Sequence, residues 1–338
     1  MNRRALITGA TGLVGSHIVE RLRADGWSIR ALSRDPDRDR WLETRGAELH
    51  RGDVLDAESV KAAARGCTHV FHTAAAVTPR GGWDAYHSVN VQGTGHVIDA
   101  AAESGARLLQ LSSVAVYGPT ARYQSSVTDE RTPLPPLDDA LFYARTKRAS
   151  EQMALAAHAS GRVWATAIRP CVIYGRRDRQ FVPRMARLVR RGFVPLPGGG
   201  KSALAIIHAA SVAHAAVLAA TNDVAGGKAY NVANESPTAG RDFFRLAGEG
   251  LGRRVRIIPI PVFLARAGLA VARLVLSLSH GRGTAAMSRG SLGFLTRDNP
   301  FSSALAEREL GWTPQIDPRA AIPDAFGWWR DSRGMDGK

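Results

Sequence analysis

Apolar and polar positions alternate in blocks along the first half of the chain. "ALIT" is a short apolar run followed by a glycine-rich turn. Leu13, Val14, Ile18, Val19 and Leu22 then recur at helical spacing, and Gly26 closes the helix. Further strands are predicted at "SIRALS", "AELHRGD", "THVFHTAA" and "RLLQLSS", with helical patterns between them. Strands alternating with helices imply an α/β fold, a parallel sheet covered on both faces. No internal repeat is visible. After "RPCVIYG" the pattern loosens, and "YNVAN" (230–234) reads as a late strand that rejoins the sheet. The chain therefore divides into a sheet domain over 1–175 and a smaller C-terminal lobe, mostly 176–330. Segments near 203–234 return to the first domain, and 331–338 form a tail.

Composition narrows the class. Of 338 residues, 45% are hydrophobic and 22% charged, as in soluble globular proteins. Cys67 and Cys171 lie far apart without a CxxC, which fits a reduced, cytoplasmic setting. The ten histidines form no metal-ligand spacing, so no metal is expected. The chain runs straight into "RRALITGA", leaving no room for the apolar segment of a signal peptide. The longest apolar stretch, 261–279, is interrupted by Arg266 and Arg273 and makes a poor membrane span. It reads as a substrate lid lined by Phe263, Leu264, Leu269, Leu274 and Leu276, as a core helix, or as an interfacial helix with snorkelling arginines. The last reading allows peripheral contact with a membrane surface through 261–280.

The net charge of +15 is spread along the chain, mostly as arginine. It fits a solvated basic surface, or attraction for a phosphorylated cofactor, an acidic substrate or a membrane. Nucleic acid is not an expected partner, because no binding signature accompanies the charge.

Gly9, Gly12 and Gly15 follow the first strand directly and open the helix. Glycine there allows a tight turn and close approach of a pyrophosphate, with the helix N-terminus facing the anion. This predicts a Rossmann-type doubly wound sheet binding a dinucleotide. An acidic residue at the end of the second strand would serve a free ribose 2′-hydroxyl, but Ser33-Arg34 stands there. Arg34 favours NADP(H). Asp35, two residues beyond the serine, keeps NAD(H) open. Asp53, in "GDVLD", falls at the end of the third strand as a cofactor contact or as a turn residue.

"FYARTK" places Tyr143 and Lys147 four apart, on one face of a helix. By itself the pair is either an acid–base pair or the polar start of an amphipathic helix. With "TGATGLVG", "GDVLD", "HTAA", "VNVQGT", "SSVAVYG", "RPCVIYG", "KAYNVAN" and "ERELGWTP" in order, the chain resembles the extended short-chain dehydrogenase/reductase family over nearly its whole length. The apolar 261–279 segment and the stretch after it most resemble the 3β-hydroxysteroid dehydrogenase-like branch.

The resemblance implies a catalytic set of Ser113, Tyr143 and Lys147, with Asn90 holding a water that links Lys147 to solvent. Ser113 is preferred to Ser112 because it stands four residues before Tyr117 in the family's "SSxxxYG" pattern. A free tyrosine is a poor base near neutrality, and a nearby ammonium stabilises its phenolate. The cofactor contacts implied are Gly9, Thr11, Gly12, Leu13, Gly15, Arg34, Asp53, Val54, Thr73, Ala74, Ala75, Tyr143, Lys147, Pro170 and Ile173. The family usually has an aspartate where Ser211 stands, a departure outside the catalytic set.

Three functions follow. The first is an NADP(H)-dependent oxidoreductase acting on a secondary alcohol or ketone with an apolar body, steroid-like or a β-hydroxy/β-keto acid. The second is a nucleotide-sugar epimerase or dehydratase with bound NAD. The third, a non-catalytic cofactor-binding protein, is disfavoured by the intact Tyr143–Lys147 pair. The expected partner is a small-molecule substrate, and the expected assembly a homodimer.

Overall fold

The computed structural model describes residues 3–78, 81–119, 127–233, 236–268, 270 and 293–333. Seven strands form one parallel sheet: β1 (Arg4–Thr8), β2 (Ser28–Ser33), β3 (Ala47–Arg51), β4 (His69–His72), β5 (Arg107–Leu111), β6 (Ala165–Pro170) and the later β10 (Ala229–Val232). The spatial order is Ala229–Val232, β6, β5, β4, β1, β2, β3. Central strands such as β1 and β6 are buried along nearly their whole length. They therefore read as continuous apolar runs rather than alternating ones, as a sheet covered on both faces requires.

Helix α1 (Leu13–Ala24) covers one face together with Ala209–Thr221, and Ile18, Val19, Leu22, Val212, Ala216 and Trp312 pack there. The other face is covered by α2 (Ala57–Ala64), α4 (Gly93–Ser104) and α5 (Phe142–Ala159) over Leu6, Val60, Val97 and Ala154. A short helix α3 (Gly82–His87) and a π-helical turn (Ser88–Gln92) precede α4.

Because β1 lies between β2 and β4, the chain winds away from it in both directions. That reversal opens a crevice at the carboxyl ends of the strands, the place where such sheets bind ligands.

The second lobe is built on strands β8 (Phe193–Pro197) and β11 (Arg256–Ile260), paired in parallel. Val194 and Leu196 face a core with Phe243, Phe244 and Phe326, supplied by α6 (Gly240–Gly250) and Pro318–Arg333. A two-stranded sheet, β7 (Val172–Tyr174) with β9 (Ile206–His208), directly follows β6. The strand Ala229–Val232 then returns to the edge of the main sheet, against β6. Among the described residues no helix is long and apolar enough to cross a membrane.

Candidate active site

The turn between β1 and α1 has no room for a side chain at Gly9 or at Gly15. Gly9 has φ +72°, and a Cβ there would lie 2.7 Å from the Ala74 nitrogen. A Cβ on Gly15 would lie 2.2 Å from the Gly9 carbonyl oxygen. Thr73 ties β4 to this turn by donating its hydroxyl to the Thr8 carbonyl at 2.7 Å. Among the described residues no side chain caps α1, whose N-cap is Gly12. The amides of its first turn, beginning at Leu13, are thus left for another acceptor, and the helix dipole favours an anion there. Thr11, Thr73, Ala74 and Ala75 are half-buried around the same turn. Bare backbone and an uncapped helix start fit the pyrophosphate of a dinucleotide.

The adenosine side is basic. Arg34 follows the last residue of β2 and is exposed, with no acid partner for its guanidinium among the described residues. The register of β2 on β3 sets Ser33 opposite Arg51, whose guanidinium donates to the Arg34 carbonyl at 3.4 Å. The neighbouring acids are engaged. Asp35 accepts from the Arg38 amide at 3.3 Å, Asp39 accepts from the Ser33 hydroxyl at 2.6 Å, and Asp37 pairs with Arg40 at 2.9 Å. Asp53 accepts from the Leu55 amide at 3.1 Å and so closes the turn after β3, while Val54 beside it is buried.

Tyr143 and Lys147 occupy the first turns of α5, as their spacing requires. Ser113, just past β5, has an extended backbone and accepts from the Ala115 amide at 3.1 Å. Burial pushes the Tyr143 phenol above its ordinary value, and a hydrogen bond with Ser113 opposes that shift. Ser113 is therefore the serine against the tyrosine. The Ser112 hydroxyl is buried and has no hydrogen-bond partner among the described residues.

Lys147 is only 3% exposed, and burial lowers its amine to about 8 against partial opposition from Glu151. Its Nζ donates to the Leu111 carbonyl at the end of β5 rather than to Tyr143. A buried ammonium takes the nearest strong acceptor, and here that is the strand end beneath Ser113.

Asn90 ties the loop after β4 to α5. It is 2% exposed, and its side chain accepts from the Ala76 amide at 2.7 Å. It also donates to the Ala76 carbonyl and to the Thr146 hydroxyl, each at 3.0 Å. Both amide hydrogens are thereby used. The side chain clamps the loop after β4 onto α5, one residue from Lys147.

Several polar residues near the site were given no role by the sequence reading. Thr94 donates to the Asn90 carbonyl at 2.7 Å and lies 3.0 Å from His72 Nε2. Nε2 must therefore carry the proton, and the Thr8 hydroxyl donates to Nδ1 at 2.6 Å. Burial, with Lys147 nearby, holds this histidine down at about 3, so it stays neutral. The chain Thr8–His72–Thr94–Asn90 links the glycine turn to α5. Glu151, one turn beyond Lys147, forms a two-pronged buried pair with Arg169 at 2.6 and 2.9 Å. Its i+4 spacing from Lys147 was the available clue.

Pro170 ends β6, beside Val232. Ile173 lies on β7 and pairs with Ile207, outside the main sheet. Cys67 and Cys171 are buried thiols that donate to the Ala63 and Ala233 carbonyls. Of the proposed lid residues, Leu269, Leu274 and Leu276 lie outside the described residues, while Phe263 and Leu264 are exposed.

The model of the NAD dependent epimerase/dehydratase family matches residues 5–233. A 2-alkyl-3-oxoalkanoate reductase of Stenotrophomonas maltophilia is 30% identical, across 93% of this chain and 95% of that protein. The bovine (Bos taurus) sterol-4-alpha-carboxylate 3-dehydrogenase, decarboxylating, is 29% identical, across 78% of this chain and 74% of that protein. The solved structure of MoeE5 in complex with UDP-glucose and NAD is 25% identical, with a TM-score of 0.72 over 98% of this chain and 99% of that one. With the parallel sheet, the glycine turn and the Tyr143–Lys147 helix in place, the chain belongs to the NAD-dependent epimerase/dehydratase family and is an NAD(P)-dependent enzyme of the extended short-chain dehydrogenase/reductase type.

Proposed function

We propose that the enzyme is an NADP(H)-dependent oxidoreductase that interconverts a secondary alcohol and a ketone on an apolar substrate, steroid-like or a β-hydroxy/β-keto acid. The observation that carries this reading is the contact of Ser113 with Tyr143, with Lys147 buried one helical turn further on. When bound, the nicotinamide cofactor supplies or accepts the hydride. The protein's own residues handle the oxygen and the proton. Ser113 holds the substrate oxygen by a hydrogen bond. Tyr143, a neutral phenol in its buried setting, gives its proton to that oxygen in reduction and takes one back in oxidation. Lys147 is charged at neutral pH and lowers the cost of the phenolate through its field. Asn90 acts by position, through the clamp on α5.

The guanidinium of Arg34, which has no acid partner among the described residues, and the engagement of Asp35 in a turn support NADP(H) over NAD(H). The names of the two relatives support the β-keto acid arm. In each, the carbon that reacts, numbered 3, neighbours a carbon bearing a carboxylate.

A second reading, a nucleotide-sugar epimerase or dehydratase with retained NAD, is favoured by the likeness to a structure holding UDP-glucose and NAD. A cofactor-linked absorbance screen separates the two, using 3-keto steroids, β-keto acids, aldehydes and nucleotide sugars. Net NADPH oxidation with an apolar ketone is the expected result. Conversion of a nucleotide sugar without net absorbance change contradicts it.

A further inference from the structure

Among the described residues, none covers the outer face of the β8–β11 sheet. Val194 and Leu196 point inward and are buried. The register pairs Phe193 with Arg256 and Pro195 with Ile258, so these four share the opposite face. Phe193 is 47% and Ile258 39% exposed. The helical turns at 262–268 continue directly from β11 and expose Phe263 and Leu264. With Leu188, these make five of the nine large apolar side chains exposed among the described residues, all within this one lobe.

The surround of the face is cationic. Arg190 and Arg191 lead into β8, and Arg253 and Arg254 lead into β11. Arg253 donates to the Arg190 carbonyl at 3.2 Å, which brings the two arginine pairs to the same end of the sheet. Arg256 lies on the face itself, and Arg266 extends the charge beyond β11. None of these six is ion-paired to an acid among the described residues. Arginines elsewhere in the protein commonly are, as Arg21, Arg107, Arg162 and Arg176 illustrate.

Aromatic and aliphatic side chains beside unpaired arginines suit the boundary between lipid headgroups and acyl chains. We propose that the outer face of the β8–β11 sheet, with Phe263 and Leu264, docks on the surface of an anionic lipid bilayer. The apolar side chains enter the interface, and the arginines meet the lipid phosphates. The contact is peripheral, because it is made by a two-stranded sheet and a short helical turn. It rests on surface residues outside the Ser113–Tyr143–Lys147 group, so its test does not depend on the substrate reading.

The test is co-sedimentation with vesicles of phosphatidylcholine alone and of phosphatidylcholine mixed with phosphatidylglycerol. The full chain is compared with Phe193→Ser/Ile258→Ser and Arg253→Ala/Arg254→Ala, each first checked for an unchanged melting temperature. The full chain is expected to pellet with the mixed vesicles, to be released by salt, and to stay in solution with phosphatidylcholine. Each arginine removed lowers partitioning by about fivefold, so the arginine variant loses roughly 25-fold. The apolar variant loses binding as well. Absence of pelleting with mixed vesicles overturns the proposal, and so does full binding by both variants. Light scattering adds a third contrary outcome: if Phe193→Ser/Ile258→Ser converts a dimer to a monomer, the face belongs to a second copy of the chain.

Discussion

Replacing Lys147 by methionine should change how stability depends on pH, and the structure sets both sign and size. The amine is nearly inaccessible, and burial lowers it from 10.5 to about 8. Below pH 8 it is charged in both folded and unfolded chains, so the folded state carries the full cost of a buried ammonium. Between pH 8 and 10.5 the unfolded chain binds the proton and the folded one does not, so stability rises with pH. Above 10.5 the amine is neutral in both states and the cost is gone. The shift corresponds to about 3 kcal/mol, with no discount for solvent screening at a site this buried. Spread over the unfolding entropy of a chain this long, that is about 4 °C in melting temperature. Methionine fills similar space and does not titrate. The difference in melting temperature, wild type minus Lys147→Met, should therefore rise by about 4 °C from pH 7 to pH 10.5. Other titrating groups are shared and cancel. Differential scanning fluorimetry of the two proteins across that range gives the comparison. A difference that stays flat, or falls with pH, would refute the account of Lys147 as a cation held at a cost.

Two further predictions concern the cofactor. NADPH should raise the melting temperature of the wild type more than NADH does, and Arg34→Ala should remove that difference; equal shifts in the wild type contradict the NADP(H) assignment. Gly15→Ala places a methyl group 2.2 Å from the Gly9 carbonyl oxygen and should cost about 1–3 kcal/mol of stability. It should also abolish calorimetric binding of either cofactor, and retained binding would mean that the turn is not the pyrophosphate cradle.

The sheet was legible because its strands are short apolar runs separated by helical periods, and the glycine turn because only glycine fits there. Tyr143 and Lys147 were legible through local spacing, one turn of one helix. What stayed hidden depends on contacts between distant segments. The engagement of Asn90 with Ala76 and Thr146 joins residues 14 and 56 positions apart. The His72 chain is equally invisible before β1, β4 and α4 are assembled, because each member alone is an ordinary polar residue. Arg51 approaches Arg34 only through the register of β2 on β3. The small sheets β7–β9 and β8–β11 escaped notice because their strands are three to five residues long and β8 and β11 contain proline. The direction of Lys147 toward Leu111 is likewise a matter of local burial, which spacing along a helix does not encode.

In the proposed mechanism Tyr143 moves the proton. Steady-state turnover and calorimetric cofactor binding of Tyr143→Phe, with a substrate identified in the absorbance screen, test it most directly. The phenyl ring keeps the packing of the residue and removes only the hydroxyl that meets Ser113. Turnover should fall to background while the cofactor dissociation constant stays within about twofold, since a group needed only in the transition state affects rate rather than binding. Turnover close to that of the wild type would contradict the claim and remove Tyr143 from the mechanism.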